Sequence, residues 1–160
     1  MVKNVFKKLG KKQKNNKGFS LVELIVVIAI MAVLVGVLAP QLIKYVEKSR
    51  EATDIQTCDN IATALKTYYA DEEVSASASA TATTVTVTLS KTELGTGADA
   101  DADAAVKDAG LTKAKIKGTK WTSDTIKIEY NKADGTITYT GDSPYYHSEN
   151  DQFKKGAKTK

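Results

Sequence analysis

Residues 19–39 read Phe-Ser-Leu-Val-Glu-Leu-Ile-Val-Val-Ile-Ala-Ile-Met-Ala-Val-Leu-Val-Gly-Val-Leu-Ala, and from residue 24 to residue 39 no side chain is charged or strongly polar. As an α-helix these 21 residues reach about 31 Å at ~1.5 Å per residue, which matches a hydrocarbon core of about 30 Å. Upstream lie Lys3, Lys7, Lys8, Lys11, Lys12, Lys14 and Lys17, and residues 1–18 contain no acid. The excess of lysines on that side puts the N-terminus in the cytoplasm and the rest of the chain outside.

The formal charge of +4 is therefore misleading as a property of a folded surface. Of 23 basic residues, seven sit in the first 18 positions, which leaves 16 against 19 acids, a net −3. A nucleic-acid partner gains no support from that balance, and no direct nucleic-acid binding is expected. Cys58 is the single cysteine, so no intramolecular disulfide can form.

Three readings of the apolar run compete. A conventional secretory signal has the basic flank, but the run is too long, Glu23 lies inside it, and Pro40 follows Ala39 where cleavage would fall. A plain single-pass anchor has no use for Glu23, because a carboxylate in a membrane helix costs about 2.5–3.5 kcal/mol on insertion scales. A subunit in which Glu23 finds a cationic partner after assembly accounts for the acid, since buried carboxylates are tolerated when paired and hydrogen-bonded.

The stretch Lys17-Gly18-Phe19-Ser20-Leu21-Val22-Glu23, followed by the apolar run, resembles the prepilin signature (a class III signal peptide) of the type IV pilin family. The resemblance covers roughly residues 17–55 and implies several things. A prepilin peptidase/methyltransferase cuts between Gly18 and Phe19 at the cytoplasmic face and N-methylates Phe19. Glu23 stands at the family's acidic position and pairs with the new amine of Phe19, in the same or a neighbouring subunit, during assembly. Gly36 and Pro40 mark a helix kink or a segment that loosens in the filament. A disulfide in the C-terminal domain, common among pilins, is excluded here.

Beyond Pro40 the pattern becomes amphipathic. Ile55, Cys58, Ala62, Leu65 and Tyr69 follow 3-4-3-4 spacing, one stripe of a helix that needs a partner. Cys58 on that stripe reads as a small core residue. Charged Lys44, Glu47, Lys48, Arg50, Glu51 and Asp54 fill other positions. Residues 75–84 have little to bury and read as an exposed loop. Val85, Val87 and Leu89 alternate with Thr86 and Thr88 as a short strand, and Ala104–Ala109 suits a helical turn or two. Ile126, Ile128 and Tyr130 alternate, as do Ile137 and Tyr139, and Asp134-Gly135 supplies the turn of a hairpin. Ile116 to Trp121 is expected to add a strand. The expected domains are a cleaved leader (1–18), a transmembrane assembly helix (19–40) and an extracellular domain (41–160). Within the last lie an amphipathic helix (41–70), an exposed loop (71–113), a sheet at about 114–140 and a polar tail (141–160). The fold class is α+β, a type IV pilin fold with one long helix on an antiparallel sheet of three to four strands.

Candidate chemistry is sparse. Asp99, Asp101 and Asp103 imitate the start of a calcium loop, but Ala104 replaces the required Gly and Gly110 stands where a bidentate Glu is needed. Asp142, Glu149 and Asp151 are a weaker calcium candidate. His147, the single histidine, has no acid and nucleophile placed beside it by the sequence. Tyr145 and Tyr146 suit partial burial on the sheet or an adhesive contact. The Ser/Thr-rich residues 75–92 suit O-linked sugars. No catalytic residue, metal site or cofactor is expected, and the chain is not read as an enzyme.

The expected function is a structural subunit, a major pilin, polymerising with itself into an extracellular filament for adhesion, surface interaction or motility. Its partners would be the peptidase, the membrane before assembly, the pilus assembly machinery and minor pilins. The alternatives are a minor pilin, a pseudopilin of a type II secretion or DNA-uptake system, and a membrane-anchored binding protein that never polymerises.

Overall fold

The computed structural model describes residues 18–71, 83–97 and 99–158. The chain is α+β, with one long N-terminal helix and a four-stranded antiparallel sheet. Helix α1 runs Leu21–Tyr69 without interruption, Pro40 included. The chain divides into two compact units, Met1–Gln41 and Leu42–Lys160.

In the first unit, α1 is bare. Every apolar residue from Leu21 to Leu38 is exposed, with Ile25, Val26, Val27 and Leu34 each more than half accessible except Val26 at 50%. Among the described residues nothing in this unit covers the run, so its apolar surface is left for lipid or another chain.

The second unit holds the sheet. Strands β1 (Thr84–Ser90), β2 (Leu94–Gly95), β3 (Thr125–Asn131) and β4 (Ile137–Thr140) pair antiparallel in the order β2-β1-β3-β4. Helix α2 (Ala100–Asp108) lies between β2 and β3 in sequence. The register aligns Val87 with Ile128 and Ile128 with Tyr139, so the alternating apolar residues share one face. That face meets Cys58, Ile61, Ala62, Leu65 and Tyr69 of α1, together with Ala102, Ala105 and Val106 of α2. Four of the five residues of the expected stripe are buried, and Ile55 packs half-buried at the edge. The β3–β4 turn uses Gly135 at φ 70°, and Asn131 N–H donates to Thr136 O at 2.9 Å.

Three expectations need correction. Residues 71–113 are not all loop: β1 is a seven-residue strand at the interior of the sheet, and α2 buries three side chains. Asp99, Asp101 and Asp103 belong to that helix. Asp99 caps it, its carboxylate accepting from Asp101 N–H at 3.0 Å and Ala102 N–H at 3.1 Å. Residues 116–121 form no strand. Ile116 N–H donates to Ser90 O at 2.8 Å, but the next backbone donors turn to carboxylates of α1 instead of a ladder.

The third correction concerns residues 141–160, expected as a polar tail. Strands β5 (Tyr146–Glu149) and β6 (Gln152–Lys155) make a second, two-stranded sheet. Asn150, at φ 54°, opens their two-residue turn, the left-handed position that Asn tolerates. Phe153 brings the hairpin onto the core, with ring centroids 5.7 Å from Trp121 and 5.1 Å from Tyr139. Tyr146, expected as partly buried on the sheet, packs on the core, and so does Phe153, which the polar composition hid. Four of the O-glycosylation candidates of residues 75–92, Ser75, Ser77, Ser79 and Thr81, fall outside the described residues. Phe153→Ala should lower the unfolding free energy of the full chain by about 1–3 kcal/mol, less than a fully buried Phe would. Thermal unfolding followed by near-ultraviolet circular dichroism checks it, with Lys158→Ala as the neutral control.

Candidate assembly segment and a buried carboxylate clamp

Gly18, Phe19 and Ser20 precede α1 and are non-helical and exposed, Phe19 at 92%. The Gly18–Phe19 peptide thus lies open just outside the helix. Ser20 and Glu23 form a reciprocal cap at its start. Ser20 N–H donates to Glu23 Oε2 at 2.8 Å, and Val22 N–H donates to Ser20 Oγ at 3.3 Å. This Ser-x-x-Glu arrangement satisfies two of the donors that a helix start leaves without partners. It also turns the carboxylate of Glu23 back toward Phe19, and favours negative charge at the positive end of the helix dipole. The sequence reading gave Glu23 an assembly role and missed this local one, although Ser20 three residues ahead was the signal.

Pro40 lies inside α1 and has no N–H to donate to the carbonyl of Gly36 four residues back. The helix continues through that point. Gly36 has no atom within 4 Å of where a Cβ would stand, so close packing does not account for it.

Further along α1 the structure buries three carboxylates that the sequence placed among charged surface positions. Glu47, Glu51 and Asp54 are 6%, 0% and 1% exposed. They extend the stripe of Cys58, Ile61 and Leu65 backward at helical spacing, and that continuity was the overlooked signal. Asp54 and Glu47 hold the loop at residues 117–121, and Glu51 holds Ser143. Asp54 accepts Lys117 N–H at 2.8 Å, Gly118 N–H at 2.8 Å and the Trp121 indole N–H at 2.9 Å. Glu47 accepts the Thr119 N–H and lies 3.7 Å from Arg50. Glu51 accepts from the Ser143 hydroxyl at 2.5 Å. A strand would have found partners for these backbone donors on a neighbour; here side-chain carboxyl groups supply the acceptors.

The fit excludes any side chain at residue 118. A Cβ on Gly118 would sit 2.8 Å from Glu51 Cγ and 2.9 Å from both Asp54 Oδ2 and Trp121 Nε1. Glu51 is the strained member of the set. Its Oε1 is buried with no hydrogen-bond partner among the described residues. Burial pushes its carboxyl above the ordinary range, the Ser143 hydroxyl pulls it partly back, and Glu47 and Asp54 push it up again.

The remaining candidates are structural. The Cys58 thiol is fully buried, and burial, then Asp54 and Asp59, push its pKa up, away from reactive thiolate chemistry. His147 sits on β5 with Nδ1 2.9 Å from Gly156 O. Glu149 pairs with Lys154 at 2.5 Å. Tyr145 and Tyr146 are half-buried, and Lys48 lies over the Tyr145 ring at 5.3 Å. Among the described residues no group of three His, Cys, Asp or Glu side chains is arranged to hold a metal ion.

The family comparison falls on the N-terminal segment. Residues 13–39 match the family model described as the prokaryotic N-terminal methylation motif. A relative from Clostridium perfringens (strain 13 / Type A), prepilin peptidase-dependent protein A, is 40% identical over 70 residues, 42% of this chain and 49% of that protein. The chain thus spans about half the length of that curated relative. No solved structure matches. The resemblance stated for Lys17–Glu23 is borne out: the chain carries a prepilin-type motif, on an α+β architecture consistent with the pilin fold. It is pilin-like, and both matches point to a structural protein.

Because the folded-state pKa of Glu51 is raised, its contribution favours the fold below the ordinary carboxylate value of 4.5 and is lost as pH climbs through the higher folded value. Glu51→Gln should therefore flatten the fall in melting temperature of the full chain between about pH 5 and pH 7. Parallel pH slopes for the two proteins would contradict this.

Proposed function

We propose that the chain is the precursor of a filament subunit, a major pilin, cut between Gly18 and Phe19 and N-methylated at Phe19. The observation that carries the reading is that the methylation motif at residues 13–39 runs into a helix whose apolar surface, Leu21 to Leu38, is exposed. This helix is long and apolar enough to cross a membrane. The basic leader before it orients such a span with the following domain outside. The same surface then transfers from lipid to the helices of neighbouring subunits, which places the finished chain in an extracellular filament.

Glu23 supports the transfer. Its carboxylate already bonds the backbone N–H of Ser20 at 2.8 Å, next to the amine that cleavage would create on Phe19. A cation there, from the same or an adjacent copy, compensates the cost of carrying the acid into an apolar core. The Gly36–Pro40 segment lacks one helical hydrogen bond and is where α1 would bend or loosen on packing. The major-subunit assignment rests on the second unit being compact, its described residues gathered round one sheet-and-helix core. A minor pilin or a pseudopilin shares every N-terminal feature, and the peptidase, assembly machinery and minor pilins are partners of any of these.

Glu23→Ala should leave processing intact while lowering filament yield at least about tenfold, the scale of removing one partner of a buried pair. Sheared-filament immunoblots beside electron microscopy of an epitope-tagged chain read both points. Uniform tag along the filament supports the major subunit. Sparse or tip labelling assigns the minor role, and normal filament numbers from Glu23→Ala overturn the pairing.

A further inference from the structure

The charges of the second unit are sorted along α1. One end is defined by Glu47 and Asp54, which hold residues 117–119, with Glu51 between them bonded to Ser143. The stretch they hold alternates, with Ile116 and Gly118 buried and Lys115, Lys117 and Lys120 exposed. Among the described residues none of these three lysines has an ion pair, whereas Lys91, Lys132 and Lys154 each pair with a carboxylate. The clamp fixes the backbone of a short lysine ridge, and leaves its cations without counter-charge.

The other end is acidic. There Asn60, Thr63, Thr67 and Tyr68 of α1 border an open groove with Ala105 and Asp108 of α2. Asp103 and Asp108 are exposed on α2, Asp101 is half-buried, and none of the three makes an ion pair among the described residues. The Tyr68 hydroxyl registers the field. Its pKa is raised by desolvation first, then by Asp101, Asp108, Asp71 and Asp99. Lys66 and Lys107 are the cations nearby in sequence, and Lys132 is taken by Asp99 at 3.7 Å. From residue 51 to residue 66 the two ends are roughly 22 Å apart along the helix.

Such a distribution complements itself by translation along α1, the basic end of one copy meeting the acidic end of the next. A contact of that kind joins unlike patches, does not close, and generates an open filament. A polyanion would fit the ridge alone, but it would be repelled by the net −3 of the chain after residue 18 and would leave the acidic end unexplained. We propose that the ridge at Lys115, Lys117 and Lys120 docks on the α2 surface at Asp103 and Asp108 of a second copy displaced along α1. The proposal rests on the filament reading above and adds the contact between extracellular domains that sets the axial step.

The test uses the full chain in cells that make the filament. Lys117→Glu with Lys120→Glu, or Asp103→Lys with Asp108→Lys, should each lower sheared-filament yield about tenfold at unchanged membrane levels of the chain. Combining the two sets should restore yield to within about threefold of the parent. Where a reversal reduces chain levels, the pair Lys117→Cys and Asp108→Cys decides, since Cys58 is buried. Oxidised filaments should then give a ladder of cross-linked oligomers, absent with either cysteine alone. Unaffected yield, combined reversals no better than single ones, or no ladder in intact filaments overturns the proposal. So does normal yield with loss of inorganic polyphosphate binding, which would assign the ridge to a polyanion. A parent chain that makes no filament at all would count against the filament reading itself.

Discussion

A single helix here has to satisfy two solvents, and the rest of the structure follows from that demand. From Leu24 to Leu38 its surface is apolar all round and, among the described residues, uncovered. From Glu47 to Tyr69 it is one-sided, with one face buried against a sheet and a shorter helix. A helix that is apolar on every side is stable only where hydrocarbon or other helices surround it. One with a single apolar stripe is stable in water once that stripe is covered. The change between the two regimes falls around Pro40, where the helix lacks a hydrogen bond.

The second unit secures its hold on α1 by an unusual route. Burying three carboxylates on adjacent turns is costly, and a well-packed apolar contact would often do as well for stability alone. What carboxylates add is direction. Asp54 gathers three donors from residues 117–121, so the loop can sit in one position only. Gly118 makes that approach possible, and Glu51, with one oxygen lacking a partner, bears the residual cost. A loop so fixed presents its outward side chains on a rigid base, a condition for a specific contact between copies.

Much of this was legible in the sequence. The apolar run, the Gly-Phe-x-x-x-Glu arrangement, the stripe from Cys58 to Tyr69 and the Asp134-Gly135 hairpin are local or periodic patterns, and each corresponds to an element or burial pattern in the structure. The misses share a physical cause. Ile116–Trp121 has strand-like residues, but its partners are acids more than 60 positions earlier, a pairing without period. Glu47, Glu51 and Asp54 were set aside for their charge although they continue the buried stripe. The β5–β6 hairpin depends on two aromatic anchors in a polar stretch, where composition argues for a tail. In each case tertiary contacts decided against the local average.

The central claim is chemical, that this helix begins, in the finished protein, at a methylated phenylalanine next to an acid-capped first turn. Intact-protein and N-terminal peptide mass spectrometry of the chain recovered from cells that express it tests this most directly. The account predicts a polypeptide that starts at Phe19 and carries one added methyl group on its amine. A mature chain that retains Met1, or that begins beyond Ala39 after conventional signal removal, would contradict it.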